Sequence, residues 1–596
     1  MKEPRRLFDC LEKLLEESPD APLLSGKEAG LWRIYTVKEV ADIVERLSAG
    51  LLALGISCND MSVEGRDKVA VLSKNRPEWM FLDLAVQKIG AILVPVYPTV
   101  HVTDLAFVLN DAQVKLVLVN EEELLHKVQS VKGQTPSVKG VYSFEKMEGA
   151  THWRELLTLG KQEHFDKIEP NANRINTEDL FTIIYTSGTT GTPKGVMLSH
   201  KNVLSNVLTT IPYLPVQRGT RVFSFLPLNH IFERMVTYVY LFAGVVIYYA
   251  ESLDTLGDNL KEVKPQMFTT VPRLLEKVYE KIMAKAQELS GIKKRLFFWA
   301  LALGEQYDVN QQQKGIGYRI QLELANKIVF KKWREGLGGS LQCIVTGAAA
   351  CPVRLIRIFS AAQIPILEGY GQTESSPVIS VNRMEKENRR FGTVGPVIAG
   401  VEVKMAEDGE ILCRGPNVMM GYYKRDDLTE ETVKDGWLYT GDIGILQDGK
   451  YLKITDRKKE IFKTSGGKYV APQPIENKFV ESPFIEQVMV VGADQKFAGA
   501  LIVPHFKNLE LWCKSNNIDF SDRKASVKNE QVIKHYKKIV EDLNTNFNPV
   551  EQIKKFTLLS KEWTVEGGEL TPTLKLKRKV IMQNCQAAVE EIYSPR

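Results

Sequence analysis

Four stretches of this 596-residue chain hold residue types and spacings that can do chemistry. Residues 185–195 read Y-T-S-G-T-T-G-T-P-K-G. Gly188, Gly191 and Gly195 let a backbone come close to a ligand with no Cβ in the way. Thr186, Ser187, Thr189 and Thr190 supply hydroxyls, freed N–H groups can donate to anionic oxygens, and Lys194 adds a cation. Together these are the parts of a phosphate cradle. The string is not the G-x-x-x-x-G-K-[ST] loop, which has no match in the chain. A plain exposed Gly/Thr connection is the alternative reading of its composition.

Residues 368–374, E-G-Y-G-Q-T-E, follow a short apolar run that reads as the end of a strand. Tyr370 offers a flat ring for a base and Thr373 a hydroxyl for a phosphate oxygen. Glu374 is a hard carboxylate suited to Mg²⁺, which takes few protein carboxylates and fills its shell with phosphate oxygens and water. A polar turn with a solvated Glu is the alternative. The third stretch joins residues 435–442, D-G-W-L-Y-T-G-D, to residues 455–463, T-D-R-K-K-E-I-F-K. Asp442 can accept from both hydroxyls of a ribose and Arg457 can add donors there, the alternative being a surface charge cluster. The fourth, residues 569–579, reads E-L-T-P-T-L-K-L-K-R-K, by charge alone a basic tail.

These residues need elements to position them. Residues 180–184, L-F-T-I-I, read as a buried strand entering the glycine loop, with a helix expected from Asn202. Residues 1–65 read as helical, with a start at Thr36 and apolar spacing at Val40, Val44, Leu47, Leu51 and Leu54. Strands are expected at 69–72, 91–95, 116–119, 222–226, 245–249, 267–270 and 341–346. Helices are expected from Arg76-Pro77 to Ile89 and over 254–263 and 272–290. A longer helical insertion at 291–338 carries Lys293-Lys294-Arg295, the apolar run 296–303 and Lys331-Lys332-Trp333-Arg334. The basic-apolar segment 293–303 reads either as a buried helix or as one resting on a membrane surface. Strands alternating with helices predict an α/β fold with mostly parallel sheets flanked by helices. From about residue 382 short strands and turns predict a small β-rich subdomain reaching 456. Residues 460–596, beyond a charged run, read as a smaller α+β C-terminal domain.

A chain this long exceeds one compact core. Apolar content of 44% and charged content of 25% are those of a globular protein, and a net charge of +5 gives no reason to expect nucleic acid as a partner. Seven scattered cysteines without a C-x-x-C predict reduced thiols and a cytoplasmic location, and the eight histidines show no zinc spacing. Residues 1–8 are charged and do not read as a signal peptide, and the longest apolar run, 238–250, is too short to span a bilayer.

In order and spacing the four motifs resemble the adenylate-forming superfamily: acyl-CoA synthetases, luciferase-like enzymes and peptide-synthetase adenylation domains. The resemblance covers nearly the whole chain and is closest to long-chain fatty acyl-CoA synthetases, through residues 435–476 and the insertion at 291–338. It implies a ligase using ATP, Mg²⁺ and coenzyme A through an acyl-adenylate. Its rivals are acyl delivery to a carrier protein and a non-catalytic fatty-acid-binding protein. It implies that residues 186–191 and Lys194 hold phosphates, with Thr186 helping Glu374 at the metal. Gly369, Tyr370, Gly371, Gln372, Thr373, Asp442 and Arg457, with Lys459 and Lys463, would hold the nucleotide. The catalytic lysine aligns with Lys575, Lys577 being the alternative, beside Thr373, Glu374 and Lys194. A mobile C-terminal domain would turn at a hinge at 457–459, centred on Lys459. His230, Met235, Tyr240, Gly347 and Ala348 fall at acyl-pocket positions, the role of His230 being open. Ser465, Gly466 and Gly467 fall beside the coenzyme A path. Chain-length preference and oligomeric state are not implied, and peripheral membrane association stays open.

Overall fold

The computed structural model describes residues 4–187, 192–252, 254–309, 314–571 and 575–594. They form two compact units. The first comprises Met1–Val403, Leu412–Tyr439 and Gln447–Leu452, and the second Lys404–Ile411, Thr440–Leu446 and Lys453–Arg596.

The first unit is built on two eight-stranded sheets. One runs Gly421–Tyr422, Pro193–Ser199, Leu180–Ser187, Ile92–Pro95, Lys68–Leu72, Val114–Val119, Gly140–Ser143, Thr151–His152. Its pairings are parallel from Leu180–Ser187 outward to Thr151–His152 and antiparallel at the Pro193–Ser199 and Gly421–Tyr422 edge. The other runs Val378–Val381, Ile366–Gly371, Cys343–Thr346, Met267–Thr270, Arg221–Ser224, Val246–Tyr249, Pro22–Glu28, Leu31–Thr36. It is parallel inside and antiparallel at both edges.

Strand residues alternate between faces, and so do the cores they enter. Val69, Val71, Val222, Cys343 and Val345 join one buried cluster drawn from both sheets. Ala70 and Leu72 face a second cluster with the helices Val102–Asp111 and Glu122–Val131. Phe223 and Ile344 face a third cluster, with the helices of the 291–338 insertion. The shared cluster also takes up the helices Pro77–Lys88 and Ile231–Phe242, which are apolar and buried on nearly every side. A helix with no solvent face needs its polar residues satisfied internally. Arg234 does so, donating to both oxygens of Asp83 at 2.5 and 3.0 Å and to Thr182 Oγ1 at 2.8 Å. Tyr238 and Gln87 complete the carboxylate, and the guanidinium lies 4.0 Å over the Phe181 ring.

One expectation fails near the start of the chain. Residues 22–36 are not helical but form a hairpin, Pro22–Glu28 with Leu31–Thr36. Its turn is Ala29-Gly30, both at positive φ (49° and 80°), as a tight hairpin turn requires. The helix start at Thr36 holds, as a capping box in which Thr36 and Glu39 satisfy each other's backbone N–H.

A five-stranded sheet runs Glu402–Met405, Glu410–Arg414, Trp437–Gln447, Val433–Lys434, with Tyr451–Arg457 on Trp437–Gln447. The strands Glu410–Arg414, Trp437–Gln447 and Tyr451–Arg457 each contribute residues to both units, so the compact division falls inside residues 382–456. The second unit also holds the sheet Ile485–Val491, Gly499–Pro504, Lys555–Leu558, the hairpin Phe462–Lys463/Tyr469–Val470, and helices including Phe506–Ser515 and Glu530–Asn544. Among the described residues no helix is long and apolar enough to cross a membrane.

Candidate active site

In the first unit the candidate phosphate stretch is mostly a β-hairpin. The strand continues to Ser187 and returns at Pro193, pairing Tyr185 with Gly195 and Thr186 with Lys194. Gly188, Thr189, Thr190 and Gly191, between the two strands, lie outside the described residues, as does the Ser187 side chain. The ladder has a clear use: it fixes half-buried Thr186 and Lys194 opposite each other. The returning strand runs into the helix His200–Thr210, capped by Ser199 and Asn202.

Lys194 stands 5.1 Å over the ring of Tyr422, whose hydroxyl donates to Glu374 Oε1 at 2.8 Å. Tyr422 reaches this place because Gly421–Tyr422 adds an edge strand, with Tyr422 opposite Val196. Burial and the Glu374 carboxylate hold its phenol well above the usual tyrosine range. Glu374 sits on the short turn Thr373–Ser375, and its carbonyl accepts from Met419 N–H at 2.9 Å. Asn417 and Asn206 tie the neighbouring Ser375 and Val378 backbone in place. A cation, an aromatic hydroxyl and a carboxylate are thus brought together from three distant stretches. The four ordered strings contain neither Tyr422 nor the asparagines; the G-Y-Y at 421–423 is the available signal.

Glu374 fits a magnesium ion arriving with nucleotide. One oxygen is used by Tyr422, which orients the carboxylate and leaves the other to a cation. No cluster of three or more His, Cys, Asp or Glu able to cage a metal occurs among the described residues. One carboxylate is enough for a metal whose remaining shell is phosphate, water and a hydroxyl such as that of Thr186.

The E-G-Y-G run lies on the strand Ile366–Gly371 itself rather than after it. At Gly371 a Cβ would stand 1.7 Å from Pro377 O, so no other residue fits. Tyr370 is half-buried opposite Ser380. Glu368, which begins the run, is buried, and its carboxylate accepts from Cys351 N–H at 2.8 Å. Burial pushes this carboxyl up to about 8, against the pull of that N–H. The bond holds the segment 347–351, where Gly347 is buried and Ala348 sits at φ 67°. A Cβ built on Gly347 would meet Phe232 at 3.7 Å, so this segment faces the first turn of the helix Ile231–Phe242. His230 caps that helix, accepting from Phe232 N–H at 3.1 Å. Asn75 and Asn229 pin the 226–229 loop leading into it. Met235 and Tyr240, also expected at the acyl pocket, are buried in the shared core, and Tyr240 Oη has no hydrogen-bond partner there. Glu233, on the same helix, is bonded by Ser224 and Thr269, and burial pushes it up to about 7.

In the second unit Asp442 is buried on Trp437–Gln447 and accepts from Arg457 Nε at 2.9 Å. Asp456 is also buried; burial raises it to about 7, with Glu460 and Glu476 pushing the same way. A turn follows at 458–460, tied by Glu460 and Ile461 N–H to Arg457 O, and Lys459 is exposed on it. Its neighbour Lys458 pairs with Asp408 and Glu410 at 2.5 and 2.7 Å. Lys463 lies exposed opposite Tyr469, and Ser465, Gly466 and Gly467 form the exposed turn of that hairpin.

Lys575 is exposed on a small antiparallel ladder. Its N–H donates to Thr571 Oγ1, its carbonyl accepts from Thr571 N–H, and Leu576 bridges Leu570. Residues 572–574 lie outside the described residues. Lys577 N–H donates to Glu569 O, closing the ladder. The next residue, Arg578, anchors it, reaching Glu460 at 3.2 Å, Glu476 at 2.5 Å and Val490 O at 3.3 Å. It therefore joins the lysine segment to the turn just past Lys459, a link that basic composition alone does not reveal.

The hairpin, the turn bearing Glu374 and the Asp442–Arg457 pair are set on the scaffold of an adenylate-forming enzyme. The chain belongs to the AMP-binding enzyme family, which matches residues 11–423, and the AMP-binding enzyme C-terminal domain matches residues 459–596. The long-chain-fatty-acid–CoA ligase FadD15 of Mycobacterium bovis is 30% identical over 583 residues, 97% of this chain and 95% of its own. The long chain acyl-CoA synthetase 3 of Arabidopsis thaliana is 30% identical over 98% of this chain and 91% of its own. In structure, the adenylation domain of a carboxylate reductase from Mycobacterium chelonae superposes with a TM-score of 0.76 at 21% identity, over 100% of this chain and 92% of that one.

Proposed function

We propose that this chain is an AMP-forming long-chain fatty acid–CoA ligase. The observation that carries the reading is the Lys194–Tyr422–Glu374 constellation on the hairpin that leads into residues 188–191. A free carboxylate is a poor acyl donor because its leaving group would be oxide. In the first half-reaction a carboxylate oxygen of the fatty acid attacks the α-phosphorus of ATP and pyrophosphate leaves. In the second the coenzyme A thiol attacks the acyl carbonyl, the acyl–phosphate bond breaks and AMP leaves.

Both steps need fixed charge facing the oxygens where negative charge gathers. Magnesium, entering with ATP, supplies divalent charge at the phosphates, and Glu374 with Thr186 would hold it. Lys194, aimed by the Tyr422 ring, holds the β- and γ-phosphates together with residues 188–191. Thr373 donates to the α-phosphate. Tyr370, between Gly369 and Gly371, takes the base with Gln372 beside it. Asp442 takes the ribose hydroxyls, with Arg457 fixing its carboxylate, and Lys463 adds charge. Lys575 neutralises the oxygens of the attacking carboxylate and the α-phosphate in the first step only.

In this reading residues 1–456 are the adenylating domain, 457–459 the hinge and 460–596 the domain that turns between steps. After turning, the 465–467 hairpin lines the path of the pantetheine. Phe232, His230, Gly347 and Ala348 bound the acyl end. The enzyme works in the cytoplasm, drawing its acyl substrate from a membrane. The test is a purified chain given palmitate, MgATP and coenzyme A. Palmitoyl-CoA, AMP and pyrophosphate should form in equal amounts, with a series of acyl lengths locating the optimum. No palmitate-dependent pyrophosphate release, or thioester formed only on a holo-carrier protein, would overturn the reading.

A further inference from the structure

An exposed apolar surface lies away from the candidate site, in the helical insertion. The helix Ile316–Ala325 continues through a π-helical turn, Asn326–Phe330, into Lys331–Gly336. Its inner face is covered: Leu322, Ala325, Val329, Phe330 and Trp333 are buried against the second sheet's outer layer. Its outer face carries a second apolar stripe. Ile316, Ile320, Leu324 and Ile328 are 76%, 64%, 47% and 43% exposed. A spacing of four places them on successive turns, a stripe about 18 Å long. A surface helix ordinarily turns one apolar stripe to the core and polar residues to water. This one has two apolar stripes, and only the inner one is covered.

The charges beside the outer stripe say what would cover it. Arg319, Lys327, Lys331 and Lys332 are exposed there against Glu323 and Glu335. Lys327 and Lys331 pair with those glutamates at 3.2 and 3.8 Å, exposed pairs that hold each other weakly. The excess is positive, and the neighbouring helix Gly291–Glu305 adds to it. Tyr318 Oη donates to Leu303 O at 2.9 Å, while further along Phe297 lies 6.1 Å from Trp333, so the two helices run antiparallel. The first turn of Gly291–Glu305 therefore brings Ile292, 75% exposed, with Lys293 and Arg295, to the Lys331-Lys332 end. The apolar run 296–303 is turned inward, with Phe297, Ala300, Leu301 and Leu303 buried. The apolar part of the segment is thus packed on the core, while its basic first turn is exposed.

We propose that the Ile316/Ile320/Leu324/Ile328 stripe, with its basic flank, docks on a bilayer containing anionic phospholipid. The stripe enters the boundary between headgroups and acyl chains while Arg319, Lys332, Lys293 and Arg295 meet lipid phosphates. A second copy of the chain is a poorer occupant, because pairing two such faces opposes two positive flanks. This docking goes beyond the ligase reading and does not depend on it, since binding is read without ATP, fatty acid or coenzyme A.

The test is flotation of the full-length chain with vesicles of phosphatidylcholine alone and of phosphatidylcholine mixed with phosphatidylglycerol. The chain should float with the anionic vesicles, weakly with the neutral ones, and less as salt is raised. Two variants are needed: Ile316→Ser/Ile320→Ser/Leu324→Ser/Ile328→Ser, and Arg319→Glu/Lys331→Glu/Lys332→Glu. Each should lower partitioning by about tenfold or more, with its thermal melt and ATP–pyrophosphate exchange unchanged. If the first variant does not fold, the second, all on the surface, decides. No flotation of the wild type, or equal flotation of wild type and folded variants, overturns the proposal. So does a wild-type dimer in solution that the serine variant converts to monomer, which would assign the stripe to a second copy.

Discussion

Lys194 and Lys575 carry separable charges, and their loss should separate the two half-reactions. Lys194→Ala removes the cation over Tyr422, and adenylation should fall about 100-fold, the usual cost of one positioned charge stabiliser. Lys575→Ala should slow adenylation by at least as much, about 3 kcal/mol or more in the barrier. Both variants should still form thioester from supplied acyl-adenylate; equal slowing of both half-reactions would remove these roles. Tyr422→Phe deletes a bond to a charged group, worth ~1.5–3 kcal/mol, and should weaken use of MgATP while sparing the fold. Glu368 makes a pH prediction. Its folded value is about 8 against an ordinary 4.5, so the folded state keeps a proton that the unfolded chain releases. The stability this gives is present below about pH 4.5 and is lost as pH rises through about 8. Glu368→Gln keeps an acceptor for Cys351 N–H but cannot ionise. Melts from pH 5 to 9 should fall more steeply for wild type than for the variant, and parallel slopes would rule the buried neutral carboxyl out. At this scale the sequence displays the residues that repeat as ordered strings. Tyr422, Asn206 and Arg578 stayed hidden because their roles come from partners 48, 172 and 118 positions away.

At the scale of elements the parallel strands and their helices were legible, because short β-branched runs between helical spacings have few other uses. Met267–Thr270 begins and ends where expected. Two hairpins were not. Pro22–Glu28 with Leu31–Thr36 is an edge ribbon of mixed burial, and Thr186–Ser187 with Pro193–Lys194 is a polar ladder, so neither shows the apolar alternation that marks a strand. Nor could composition say that the Pro77–Lys88 and Ile231–Phe242 helices are joined by Arg234 and Asp83, 151 positions apart. That pair also holds Thr182, on the strand that leads to the candidate phosphate stretch, and Thr182 in turn donates to Leu93 O. Both charges are wholly buried. Removing one partner leaves the other unpaired in the core, so Arg234→Met alone should cost about 3–5 kcal/mol. The double variant Asp83→Leu/Arg234→Met should recover much of that loss. Urea titrations of the single and double variants measure the coupling, and simple additivity would show that the pair does not act as one unit.

At the scale of the whole molecule, the residues proposed for the site are divided between the two units. Thr373, Glu374 and Lys194 belong to the first unit, while Asp442, Arg457 and Lys575 belong to the second. In the ligase reading proposed above, the lysine that serves adenylation gives way to a thiol by a turn of the C-terminal domain. The hinge proposed for it is residues 457–459. Before it, Arg457 is fixed to Asp442; after it, Glu460 is fixed to Arg578, which also anchors the lysine segment. Lys459 stands between these two fixed points, exposed on a turn. Rotation there would carry Arg578, the 569–577 ladder and the 465–467 hairpin together as one body. Proline at 459 fixes φ and restricts the conformation of Lys458 before it. Lys459→Pro should therefore leave acyl-adenylate formation within about twofold of wild type and slow thioester formation by about 100-fold or more, as hinge changes that block one closed state do. Single-turnover measurement of each half-reaction gives the answer. Equal slowing of both would place the pivot elsewhere. An unaffected second step would mean that coenzyme A reaches the adenylate without any turn at this residue.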